Sequence, residues 1–131
     1  MKKLLLSIIM FVAVVVSVHA QPGFTPRTVE ERVVAVHAKL DSAFKLEASK
    51  IAEADSAFAA YYRESDKIRQ DMMAGGERPT RDAMMEKMKP VTEARDEKLK
   101  KILTEAQFKA WKEEIEPGMR PQRGPGGGGR N

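Results

Sequence analysis

Apolar residues recur at three- and four-residue steps from residue 28 to residue 116, a spacing that predicts amphipathic helices. The first apolar face consists of Val29, Val33, Val36 and Leu40. Thr28 and Glu31 match a capping box at the start of this face, where a first helix is therefore expected to begin. A second face, sustained over three heptads, consists of Ile51, Ala54, Phe58, Tyr61, Ser65, Ile68 and Met72. It predicts a long helix over roughly residues 41–73.

The next helix boundaries are set by glycine, proline and threonine. Gly75 and Gly76 should end the second helix, and Thr80 can cap a third helix over about residues 80–103. Pro90 lies inside this third helix and should bend or divide it, because proline removes one backbone donor. The apolar side of the third helix, which Arg95 interrupts, consists of Met84, Met88, Val91, Leu99 and Ile102.

A fourth helix is expected over about residues 105–116, with Phe108, Trp111 and Ile115 on one side and Pro117-Gly118 as its stop. No useful length of chain alternates with period two, so the predicted fold class is all-α. The two long helices should form a long antiparallel hairpin, flanked by the short helices. Aromatic residues make up only 6% of the chain, so one core is thin and a homodimer is the expected way to cover the remaining apolar surface.

The two ends of the chain differ from the helical part. Lys2 and Lys3 precede an apolar run and Val18-His19-Ala20, which together predict a signal peptide over residues 1–20, cleaved after Ala20, and export to the periplasm. An uncleaved anchor is the alternative. Residues 21–27 should form an extended leader, and residues 117–131, rich in Gly, Pro and Arg, a disordered tail.

Charge and residue types narrow the chemistry. The formal net charge of +4 arises at the ends, since five basic residues lie in the first twenty and last fifteen positions and leave 18 basic against 19 acidic residues between them. The middle therefore has no excess charge for nucleic acid, and the tail arginines could make at most weak contact with anionic envelope surfaces. There is no cysteine and no catalytic motif, so we predict neither an enzyme nor a cofactor.

The most informative short motif is Leu103-Thr104-Glu105-Ala106-Gln107. Thr104 and Gln107 complete a capping box, and Leu103 and Phe108 occupy the positions of a hydrophobic staple. This stretch has the form of the LTxxQ motif, and the chain resembles the Spy/CpxP family of periplasmic proteins over residues 28–116. The export signal, the length, the long charged helix and the methionine-rich segment at Met84–Met88 are also similar.

The family usually carries a second copy of the motif, which here would be Leu40 to Phe44. Phe44 replaces the glutamine, so no capping box can form there, and the first two helices are expected to join more smoothly than in that family.

The resemblance implies an ATP-independent periplasmic chaperone or envelope-stress modulator, a cradle-like helical dimer whose concave face binds unfolded or misfolded client proteins. The candidate client-binding residues are Arg63, Lys67, Met72, Met73, Arg81, Met84, Met85 and Met88. Methionine is flexible and tolerates varied partners, and the basic side chains could attract acidic segments. The alternative is that the methionines fill the core and the charges form solvated helix faces.

A second hypothesis is metal binding or heavy-metal resistance. Thioethers suit Cu(I), and Met84 and Met88 are one helical turn apart, with Met85 adjacent. A weak site from Glu30, Glu31 and His37 is conceivable, although His37 is more simply a helix-surface residue.

Overall fold

The chain is all-helical in the computed structural model, which describes residues 26–120. Its elements are α1 (Val29–Phe44), α2 (Ala48–Met73), α3 (Arg81–Ile102), α4 (Glu105–Ala110), a π-helical turn (Trp111–Ile115) and α5 (Glu116–Met119). No strand occurs between residues 26 and 120, so the predicted fold class is confirmed for that part of the chain. None of these helices is long and apolar enough to cross a membrane. The predicted signal peptide and most of the predicted tail lie outside the described residues.

The helix starts predicted from capping residues are confirmed. Glu31 donates its backbone N–H to Thr28 Oγ1 at 3.2 Å, and Glu31 Oε2 accepts the Thr28 N–H at 2.8 Å. At the start of α3, Thr80 Oγ1 accepts the N–H of Ala83 at 3.2 Å. Each cap satisfies donors that the first helical turn leaves unpaired, which is why these starts can be identified locally.

The boundary between α1 and α2 differs from the prediction. The first helix runs on to Phe44, and Lys45 adopts a left-handed conformation with φ 50° and ψ 50°. The second helix begins only at Ala48. The prediction that the second helix begins near residue 41 is therefore wrong, because residues 45–47 are non-helical. That the two helices join more smoothly than in the Spy/CpxP family stays a prediction. Phe44 and Leu46 on either side of Lys45 both pack against the core, and this packing offsets the conformational cost of a left-handed lysine.

The long helix α3 is continuous through Pro90, so of the two predicted effects, a bend or a division, the division is wrong and the bend stays a prediction. The missing Pro90 N–H would have paired with the carbonyl of Glu86, and both residues are exposed. Water can therefore satisfy that carbonyl, and the helix persists. The helix before it, α2, ends at Met73 as predicted. Gly76 takes a positive φ of 79° in the turn that follows.

The core lies at one end of the molecule, where α2 packs against both α1 and α3. Its buried hydrophobic residues are Val36, Leu40, Ile51, Ala54, Ala57, Phe58, Leu99, Ile102, Leu103 and Trp111. Polar links reinforce the contact between α1 and α2. Arg32 pairs with Asp66 and lies 4.7 Å from the Tyr62 ring centroid. His37 Nδ1 is 2.8 Å from Asp55 Oδ2, so this histidine links two helices although it is partly exposed.

The opposite end of the α2–α3 pair has no core. Residues 66–94, which we call the distal arm, include no buried side chain, and the arm is bounded by the buried residues Ser65 and Arg95. The half-buried apolar residues of the distal arm's two helices include Ile68, Met72, Met84, Met88 and Val91. Helix continuity in the distal arm therefore depends on local hydrogen bonds and partial packing.

The left-handed residue between α1 and α2 gives a test of the chain reversal. Replacing exposed Lys45 by glycine removes the steric cost of positive φ, so Lys45→Gly should raise the free energy of unfolding by about 0.5–1 kcal/mol in urea denaturation. The matched control is Lys39→Gly, at an exposed interior position of α1, which should lower it by about 1 kcal/mol. Equal destabilisation by both substitutions would contradict the assigned conformation.

Candidate functional site

The LTxxQ residues form the predicted helix start. Thr104 Oγ1 accepts the N–H of Gln107 at 3.2 Å, and Gln107 Oε1 accepts the N–H of Thr104 at 3.0 Å. Leu103 is buried and Phe108 packs against the same core. The capping box is therefore confirmed, and the motif fixes where the chain turns from α3 into α4.

The segment after the motif docks on α2 through Trp111. The indole of Trp111 is buried, with its ring centroid 5.1 Å from that of Phe58 in an edge-to-face arrangement. Its Nε1–H has no hydrogen-bond partner among the described residues. A π-helical turn starts at Trp111, and the carbonyl of Trp111 accepts the N–H of Glu116 five residues on. The wider turn brings both residues toward the core side.

Four charged side chains, which we call the clamp, join this C-terminal segment to α3. Arg95 is only 4% exposed. Its Nη2 donates to Asp96 Oδ1 at 2.6 Å and to Glu116 Oε1 at 2.8 Å. Lys112 Nζ bridges the same two carboxylates, at 3.0 Å from Asp96 Oδ2 and 2.8 Å from Glu116 Oε2. The Arg95 guanidinium also lies 4.6 Å from the Tyr61 ring centroid.

Arg95 therefore belongs to the buried face of α3, where the sequence suggested an interruption. The clamp does not follow from local spacing, because Glu116 is 21 residues away from Arg95 along the chain. The available signal was a cation at an apolar stripe position, since a buried guanidinium must find carboxylates.

The clamp shifts the pKa values of Glu116 and Lys112. Burial alone would raise the pKa of Glu116, but the hydrogen bonds and charges of Lys112 and Arg95 outweigh it and hold the pKa below its ordinary 4.5. Burial opposes the charged form of Lys112, yet hydrogen bonds to Glu116 and Asp96 raise its pKa above 10.5. The four groups saturate one another, so the clamp acts as a structural lock.

The candidate client-binding residues lie on the distal arm or next to it, in two groups. Met72, Met84 and Met88 are half-buried. The remaining residues are exposed: Arg63, Lys67, Met73, Arg81 and Met85. The distal arm carries six basic and six acidic side chains, counted over residues 66–94, so it has no net charge to attract acidic segments as a whole. The chemical feature that distinguishes the distal arm is its five methionines.

Two other surfaces bear on the predictions. The described residues contain no group of three His, Asp or Glu side chains that could hold a metal ion, and Glu31 is engaged in its capping box. The hypothetical Glu30, Glu31 and His37 site is therefore wrong.

An open groove between the start of α2 and the end of α3 is lined by Ala52, Glu53, Ser56, Ala57, Lys98, Lys101 and Ile102.

The C-terminal helix extends further than predicted. Pro117 and Gly118 do not stop it, because Pro117 occupies the first turn of α5, where its missing N–H needs no partner. Met119 packs against the core, which holds this turn in place. Residues 117–119 therefore belong to the folded part, and residues 121–131 of the predicted tail lie outside the described residues.

The clamp makes stability depend on pH. Because the folded pKa of Glu116 is lowered, its stabilising contribution is fully present above the unfolded pKa and is lost as pH falls through the folded pKa. The free energy of unfolding should therefore fall as pH drops from about 6 to about 3 in urea denaturation. Glu116→Gln should cost about 2 kcal/mol at neutral pH and flatten this dependence.

The matched control is Glu113→Gln on the exposed side of the same turn, which should follow the unmodified protein at every pH. An unchanged pH slope in Glu116→Gln would show that the clamp does not couple protonation to folding.

Comparison with known proteins shows which family this helical unit belongs to. No curated protein and no solved structure matches the chain. Residues 31–111 match the model of a family described as Domain of unknown function (DUF4890). This match runs from the first turn of α1 to Trp111 and covers more than half of the chain. The chain therefore belongs to the DUF4890 family.

Proposed function

We propose that this protein is an ATP-independent periplasmic chaperone or stress modulator that binds exposed segments of unfolded polypeptides on its distal arm. The observation that carries the proposal is the absence of any buried side chain between Ser65 and Arg95, in an arm with five methionines. Apolar surface that a fold does not cover is available to other chains.

The chemistry of the distal arm suits varied clients. Met73 and Met85 are 60% and 59% exposed, and thioether side chains adapt to differently shaped partners. Equal numbers of basic and acidic groups allow contact with clients of either charge and keep long-range attraction weak. Because these contacts are weak, a client can be released without nucleotide. This agrees with the periplasmic location that the N-terminal sequence predicts.

The resemblance to the Spy/CpxP family supports this proposal and stays a prediction. Its residue-level support is the capping box at Thr104 and Gln107, which opens the C-terminal helix in the way that the motif predicts. The signal peptide, cleavage after Ala20 and the periplasmic location are parts of the same proposal.

We further propose that α2 and α3 act as a long antiparallel hairpin and that two copies pair in a cradle-like homodimer. The groove near Ala52 and Ser56 has small residues that let a partner helix approach closely. Glu53 and the two lysines that line it offer opposite charges on one surface, which a two-fold axis can match to each other. This pairing leaves both distal arms free for clients.

The chaperone proposal predicts loss of activity when the exposed methionines become polar. The mature chain from Gln21 should suppress aggregation of a denatured client, measured by light scattering, at near-stoichiometric ratio without nucleotide. The double variant Met73→Gln/Met85→Gln should weaken client binding by roughly thirtyfold, because each exposed methionine offers about 1 kcal/mol of contact and the two together offer about 2 kcal/mol.

The control for this experiment is Val34→Gln, since Val34 is 68% exposed on α1, outside the distal arm. It should leave suppression unchanged. If Val34→Gln and the double methionine variant are equally weakened, or if the unmodified protein suppresses nothing over a range of clients and salt concentrations, the proposal is wrong.

The dimer proposal predicts that a charge in the groove separates the copies. Ser56→Arg adds a large cation at the proposed contact and should convert an elongated dimer into a monomer, measured by light scattering coupled to size-exclusion chromatography. Ala38→Arg, at an exposed position of α1, should remain dimeric. A monomeric unmodified protein at tens of micromolar would exclude this arrangement.

A further inference from the structure

The register of α2 against α3 brings methionines of the distal arm face to face. At the core end, the Arg95 guanidinium lies over the Tyr61 ring at 4.6 Å, which pairs these two positions across the antiparallel helices. Two turns on from Tyr61 is Ile68, and two turns back from Arg95 is Met88. One further turn along each helix leads to Met72 on α2 and to Met84 on α3.

Side-chain exposure agrees with this register. Met72, Met84 and Met88 are half-buried, whereas their sequence neighbours Met73 and Met85 are among the most exposed apolar residues described. Met84 and Met88 are one turn apart on the same face of α3, with Cβ atoms about 5–6 Å from each other. Met72, Met84 and Met88 therefore share the inner, half-buried side of the distal arm, whereas Met73 and Met85 lie on its exposed side.

The donor chemistry of this cluster is specific. Thioether sulfur is uncharged at every pH and is a soft ligand, which selects Cu(I) and similar ions over Zn²⁺ or Mg²⁺. The chain has no cysteine, and His37, the histidine of the described residues, is paired with Asp55 between α1 and α2. We propose that Met72, Met84 and Met88 form a three-thioether site for a soft monovalent cation, Cu(I) or Ag(I).

Such a site goes beyond client binding and has a mechanical consequence for the distal arm. A cation held by one sulfur of α2 and two of α3 ties the helices together where no buried side chain does so. Since the ion binds only the folded arm, it stabilises that arm by mass action. The ion would then bind on the half-buried side of the helix pair, and the most exposed methionines, Met73 and Met85, would remain available to clients.

The test uses the mature chain from Gln21 with Ag(I) in calorimetry, and with Cu(I) under anaerobic reducing conditions against a chromogenic chelator. One ion should bind per chain, with micromolar or tighter affinity. Met84→Leu should weaken binding at least about tenfold, because even the loss of an outer partner of a metal ligand costs about 10–100-fold. The triple variant Met72→Leu/Met84→Leu/Met88→Leu should not bind measurably.

The control is Met73→Leu/Met85→Leu, which removes two thioethers from the exposed side of the distal arm and leaves the three inner ones in place. It should bind within about twofold of the unmodified protein. Leucine resembles methionine in volume and helix propensity, so the triple variant should keep its helical circular dichroism. In NMR, Ag(I) should shift the ε-methyl signals of the three inner methionines and leave those of Met73, Met85 and Met119 in place.

The proposal is overturned by three results: no binding of micromolar or tighter affinity, binding that survives in the triple variant, or ε-methyl shifts shared equally by inner and outer methionines. All three results are read from metal binding, whereas the chaperone proposal is read from aggregation suppression by the unmodified protein without added metal. Failure of the metal site and failure of the chaperone proposal are therefore separate outcomes.

Discussion

Burial of one guanidinium organises this molecule. Arg95 sits where α2, α3 and the C-terminal segment meet, and an unpaired charge there would cost several kcal/mol. Asp96 on the same helix supplies one carboxylate, and Glu116 can supply the other only if the chain after the LTxxQ motif folds back onto α2. The capping box at Thr104 and the docking of Trp111 on Phe58 bring about that return. The polar lock and the aromatic contact thus depend on each other.

Arg95 also marks the border between two regimes of stability. On one side, buried aliphatic and aromatic side chains hold α1, α2 and the C-terminal segment together. On the other, the distal arm has exposed pairs such as Asp66 with Arg69 and Lys89 with Glu93, which contribute little individually. Segments with few buried contacts open locally at lower free energy than the core does. A binding surface that must accept differently shaped partners is well placed on such a segment.

Features determined by neighbours in sequence were predictable, and those determined by distant residues were not. The caps at Thr28, Thr80 and Thr104 and the apolar faces of the helices follow from local spacing, and the structure has them. The left-handed position is a lysine and not a glycine, so the sequence does not mark it. Its conformation is held by the packing of its neighbours on the core. In the sequence, Arg95 only interrupts the apolar side of α3. Its role depends on the carboxylate of Glu116, which is distant along the chain. The methionine cluster was visible in sequence, but its division into inner and outer members required the helix register.

The π-helical turn at Trp111 makes chain length in this region critical. In a regular α-helix, residues five apart lie about 140° apart around the axis, so Trp111 and Glu116 would face different sides. The i to i+5 hydrogen bond accommodates one additional residue and lets the indole and the carboxylate reach their partners together. A single-codon deletion within the turn would leave the two residues four apart, about 40° around a regular helix, so the indole and the carboxylate would still share a face. A single-codon insertion would instead leave them six apart, about 240° around the axis. Homologues that keep both the tryptophan and the glutamate should therefore have them five apart across a π-helical turn or four apart across a regular one, and not six apart.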